Sequence, residues 1–67
     1  MEIVLPECVA FHQVEVVHES AWGLWCQVGG REIWIPRGQI LSDELRHAGD
    51  RGTLIIPRWY AHDWHLL

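Results

Sequence analysis

The chain has no lysine. Its five basic side chains are all arginines (Arg31, Arg37, Arg46, Arg51 and Arg58), set against nine acidic residues for a formal net charge of −4. Binding along a nucleic-acid backbone calls for a basic surface, so this balance argues against a long phosphate footprint. A weakly acidic surface suits instead a protein partner rich in basic residues, including one that itself binds nucleic acid. Cysteine is scarce as well. Cys8 and Cys26 alone make a poorer disulfide framework than small secreted scaffolds carry. The Met-Glu opening lacks the basic-then-apolar pattern of a signal peptide, and no apolar run approaches the ~20 residues of a membrane-spanning helix. These absences predict a soluble, intracellular chain with reduced thiols. Repeats, low-complexity segments and linkers are also missing, so residues 1–67 read as one small domain.

The signatures of catalysis and of cofactor binding are missing too. No Gly-x-Ser-x-Gly elbow or papain-like cysteine context surrounds Ser20, Ser42, Cys8 or Cys26, and Cys26 falls on an aliphatic strand face, where a thiol is inert. Gly29-Gly30 has neither the spacing nor the following helix of a dinucleotide site, and "GDRG" lacks the Lys-Ser/Thr of a P-loop. Five histidines and two cysteines raise the question of zinc, with Cys8 near His12 and His62 near His65. Those spacings match no closed zinc pattern, so the expectation is no metal, no cofactor and no catalytic residue.

What the chain does have is apolar surface. Hydrophobic residues make up 49% of it and five are tryptophan, while a domain this short hides only about 60% of the surface its unfolded form exposes. Some aromatic surface therefore remains for a partner or for a second copy. The pattern places that surface on a sheet. "VAFHQVEVV" reads as a strand with Val14 and Val16 on one face and Gln13 and Glu15 on the other. "HES" reads as a turn, and "AWGLWCQV" alternates with its apolar side at Trp22, Leu24, Cys26 and Val28. Gly29-Gly30 suits a two-residue hairpin turn, whose central residues both need positive φ. The register follows: Val28 opposite Arg31, Gln27 opposite Glu32, Cys26 opposite Ile33, Trp25 opposite Trp34, Leu24 opposite Ile35. Trp25, Gln27, Glu32 and Trp34 then share one face and the aliphatic residues the other.

Pro36 ends the second hairpin strand. The stretch "RGQILSDELRHAGDRG" is a connection with at most one helical turn, beginning near Ser42, and "TLIIP" is a further strand. Pro57 then starts a short C-terminal helix, "RWYAHDWHLL", with Tyr60, Trp64 and Leu67 on one side. The expected fold is α+β or mainly β: a small antiparallel sheet of four or five strands, flat or curled into a small barrel, with that short helix. The helix must cover either the aliphatic face or the tryptophan face. One of the two is left for a partner.

"REIWIPRGQI", followed by "GDRGTLIIPRWYA", resembles a pattern of small phage and prophage proteins. It comprises a strand with Glu-Ile-Trp-Ile-Pro, a polar insert containing Asp and Glu, and Gly-Asp-x-Gly-x-Leu-x-Ile-Pro followed by Trp-x-Ala. It spans residues 31–61. Residues 1–30 depart from it beyond their alternation and closing turn. The resemblance implies a setting, the cytoplasm of a bacterial host, and small accessory proteins in that setting often inhibit host machinery, anti-CRISPR proteins among them. The expected function is thus a non-catalytic protein-binding module, a phage-encoded inhibitor of a host defence complex that meets a host protein or nucleoprotein. Trp25, Trp34 and Glu32 are the contact candidates, with Asp43, Glu44 and Asp50 as acids for a basic partner. Two alternatives use the same tryptophans. One is a small barrel that stacks single-stranded nucleic acid, with Arg31 and Arg37 at phosphates, and the other is a structural homodimer.

Overall fold

A computed structural model of the protein describes residues 2–5 and 7–67, with side chains from Glu7 onward. Five strands, β1 (Glu2–Leu5), β2 (Cys8–Glu19), β3 (Gly23–Val28), β4 (Arg31–Pro36) and β5 (Arg51–Pro57), are followed by one helix, α1 (Arg58–Asp63). All five join one antiparallel sheet in the order β1-β2-β3-β4, with β5 also on β2. The protein is mainly β with a small helix. β1 lies in a stretch for which the sequence suggested no strand.

β2 is the hub. Its first half pairs with β1 and β5 and its second half with β3, so that Glu15 stands between Gln27 and Arg51. A strand of 12 residues with partners on both edges must bend, and β2 does so at two register shifts. The first lies between Phe11 and Val14, where Gln13 takes φ 59. Its trace is already in the primary structure: core-facing residues run Val9, Phe11, then Val14, Val16, a phase slip of one that a regular strand does not allow.

The hairpin of β3 and β4 has the expected register residue for residue, with Gly29 at φ 56 and Gly30 at φ 82. Trp22 departs from its expected place on the apolar face. β3 starts only at Gly23, and the preceding turn is closed by the Ser20 N–H on the Gly23 carbonyl (3.0 Å) and by the Ser20 hydroxyl accepting from Trp22 N–H (3.2 Å). That turn swings Trp22 outward, leaving it 82% exposed.

The sheet does not close into a barrel, and the outer edges of β5 and β4 carry other contacts. Along β5, Leu41 N–H donates to the Ile55 carbonyl (2.8 Å), Ser42 Oγ accepts from Ile55 N–H (3.3 Å), and Glu44 Oε1 accepts from Thr53 N–H (2.6 Å). Those contacts also explain why no helical turn begins near Ser42. The side chains suited to starting one are bonded to β5, and the only turn of helix in the connection is a 3₁₀ turn at Arg37–Gln39. On β4, the Tyr60 hydroxyl donates to the Trp34 carbonyl (2.5 Å), and Pro36 has no N–H to offer.

The core lies on one side of the sheet. Val9, Val14, Val16, Leu24, Cys26, Val28, Ile33, Ile35, Leu54 and Ile56 meet Leu45 from the connection and Ala61 from α1. Each such aliphatic side chain contributes roughly 1.5–3 kcal/mol on burial. Tyr60 and Trp64 pack against this core as expected, but Leu67 does not. α1 ends at Asp63 and His65 turns to φ 58, so Leu66 takes the inward position and Leu67 stays exposed. Among the described residues no helix is long and apolar enough to cross a membrane.

Candidate binding face

With α1 on the aliphatic side, the opposite face of β3 and β4 is left uncovered by the helix. Trp25 and Trp34 are cross-strand partners there, with ring centroids 5.7 Å apart and planes tilted by 51°. Trp25 is 40% exposed and Trp34 is half-buried. Room for the second indole comes from Gly23, diagonal to it on β3. A β-carbon at that position would stand 2.6 Å from the Trp34 ring and 2.5 Å from the Ile35 carbonyl oxygen. Gln27 and Glu32, both exposed, extend the same face, and on the β2 side His18 pairs with Trp25 and Glu15 with Gln27.

Of the candidate residues, the structure brings Trp25, Trp34 and Glu32 together and sets the other three apart on the connection between β4 and β5. Asp43 is almost fully exposed, its carboxylate 3.7 Å from Arg46. Glu44 and Asp50 bond their own backbone. Glu44 receives Thr53 N–H, and Asp50 Oδ2 accepts from Arg46 N–H and His47 N–H, each at 2.9 Å. These two bonds hold the Asp50 carboxyl below its ordinary range. Glu19 at the end of β2 acts likewise: Ala48 N–H on Oε1 (3.0 Å), then His47 and Arg37, lower its pKa. The connection is thus laced to the sheet by carboxylates.

A feature the sequence reading missed is a shallow polar groove beside the bulge, lined by His12, Gln13, Glu15, Gln27, Glu44, Arg51, Gly52 and Thr53. His12 Nδ1 lies 3.1 Å from Thr53 Oγ1, and Arg51 meets Glu15 at 3.4 Å. The phase slip at residues 12 and 13 was its one available signal. Gln27 and Glu15 connect this groove to the tryptophan pair.

The cysteines offer no exposed nucleophile. Both are free and buried, and burial pushes the Cys26 thiol up to about 11, so it is protonated at neutral pH. Among the described residues no three His, Cys, Asp or Glu side chains gather as a metal-ligand set. The two arginines nearest the tryptophans in sequence are spoken for. Arg31 Nη1 donates to the Trp64 carbonyl (2.6 Å), and Arg37 donates to the Ser20 (3.0 Å) and Arg46 (3.1 Å) carbonyls.

No protein-family model, curated protein or solved structure matches the chain.

Proposed function

We propose that the protein is a non-catalytic binding module that holds a protein partner on the outer face of β3 and β4, with Trp25 and Trp34 at the centre and Glu32 beside them at the rim. One observation carries this reading: the helix lies on the aliphatic face, so the tryptophan pair is on the face the helix leaves open, with Trp25 40% exposed and Trp34 half-buried. Large aromatics at the centre of a patch with charge at its rim are the composition of binding hot spots. In the phage setting that the sequence resemblance implies, the partner is a host defence protein or nucleoprotein complex and the effect is inhibition.

Stacking of single-stranded nucleic acid on the same rings is the weaker reading. Its phosphate contacts would fall to Arg31 and Arg37, which are bonded to backbone carbonyls of their own chain, and Glu32 on the same face repels phosphate. The deciding experiment is affinity capture from bacterial lysate on the tagged protein, beside a Trp25→Ala/Trp34→Ala variant shown by circular dichroism to remain folded. A discrete protein complex retained by the wild type and lost by the variant supports the reading. Equal capture by both proteins, capture of a short oligonucleotide instead, or a homodimer that disappears in the variant overturns it.

A further inference from the structure

Among the described residues, Glu32 is the acidic side chain that shares the strand face of Trp25 and Trp34 across β3 and β4, and none of them pairs with it. The carboxylates around it are engaged: Glu15 with Arg51, Glu19 with His47 and Ala48, Glu44 with Thr53 N–H. Four arginines are engaged with other groups: Arg31 and Arg37 donate to carbonyls, Arg46 pairs with Asp43 and Arg51 with Glu15. An exposed carboxylate two residues from Trp34 on the same strand face therefore stands out. Beside it, indoles tilted by 51° are not stacked flat, and Trp25 keeps 40% of its surface open. An open indole face attracts a cation through the negative potential of its π cloud, and a carboxylate alongside supplies the counter-charge.

Resting on the protein-binding reading above, we infer that Trp25, Trp34 and Glu32 form a seat for a guanidinium group, so that the partner docks an arginine side chain here. The planar guanidinium stacks on an indole and presents a two-pronged donor edge to the Glu32 carboxylate. A lysine ammonium, compact and strongly hydrated, does only the second. The net charge of −4 adds attraction at longer range.

The test titrates the intact protein with an acetylated and amidated glycine-spaced peptide carrying two arginines, and with the same peptide in which citrulline replaces both. Citrulline keeps the shape and removes the charge. Indole N–H resonances are followed by NMR and assigned with Trp25→Phe and Trp34→Phe variants. The expected result is a shift of the Trp25 and Trp34 signals with the arginine peptide, little with citrulline, and an apparent affinity about 2- to 5-fold weaker in Glu32→Gln, which breaks no internal contact. Equal shifts at the pair with both peptides overturn the guanidinium seat while leaving a peptide-binding face. Shifts spread equally over exposed Trp22 and Trp59, or none at the pair, overturn it as well. The capture experiment decides the broader reading independently of either outcome.

Discussion

Gly23→Ala tests whether the tryptophan face is built as described. A β-carbon at position 23 would lie 2.5 Å from the Ile35 carbonyl oxygen and 2.6 Å from two carbons of the Trp34 ring. The carbonyl belongs to the paired strand backbone, so either β3 and β4 separate locally or the indole leaves its seat. Overpacking of this kind costs about 1–3 kcal/mol. Displacing the ring also forfeits the tryptophan pair, about 0.5–1.5 kcal/mol. Against these stands the lower entropy of an unfolded chain without that glycine, a gain of about 0.4–1 kcal/mol. The balance is a loss of about 2 kcal/mol, and in a domain of this size it lowers Tm by roughly 8–16 °C. Thermal and urea unfolding followed by circular dichroism measure it directly. Gly38→Ala serves as the control, since a β-carbon there meets nothing within 4 Å, and its Tm should match the wild type or rise by a few degrees from the same entropy gain. A Gly23→Ala protein as stable as the control would refute the packing of Trp34 over Gly23 and with it the geometry of the proposed seat.

Tyr60→Phe removes the hydroxyl that caps the Trp34 carbonyl on the edge of β4. It should cost about 0.5–1.5 kcal/mol in urea unfolding, and an unchanged midpoint would show that bond to be idle. Cys26 in the native protein should resist a thiol reagent at neutral pH and react only at the rate of unfolding, as mass spectrometry of labelled peptides would show. Its folded pKa of about 11 lies above the ordinary thiol value of 9.0, so the stability tied to the neutral thiol is intact below pH 9.0 and lost as pH rises toward 11. For Asp50 and Glu19 the sign is opposite. Their folded pKa values are depressed, so their contribution is present above the ordinary 3.8 and 4.5 and disappears as pH falls through the lowered folded values. Amide shifts of Arg46, His47 and Ala48 should change together in that acid range, and in Asp50→Asn those of Arg46 and His47 should no longer follow it. No acid-range change at the Arg46 and His47 amides would contradict the carboxylate lacing.

Where the physics is local, the sequence is legible. Two consecutive glycines between alternating strands have essentially one short solution, and from it follow the pairing of Trp25 with Trp34 and the grouping of Glu32 and Gln27 on their face. Pro57 before an aromatic-rich segment similarly marks the start of α1. Trp22 shows the limit of alternation: its parity matches Leu24, yet three hydrogen-bonding atoms of Ser20 and Gly23 turn it out of the strand. Ser42 and Glu44 show another. Their chemistry suits a helix start equally well as it suits the edge of a strand, and the choice depended on β5 being within reach.

The sequence by itself determined the hairpin, its register and the separation of an aliphatic from an aromatic face, because each depends on residues a few positions apart and on the two-residue period of a strand. Only the tertiary structure decided which of those faces the helix covers, since either offered it apolar surface. It also decided which charges remain free, because the arginines and carboxylates find their partners across long stretches of chain: Arg31 at Trp64, Glu15 at Arg51, Glu19 at Ala48. Among the described residues Glu32 is left without a partner in that distribution, and such a charge is recognised only once the other pairings are in place.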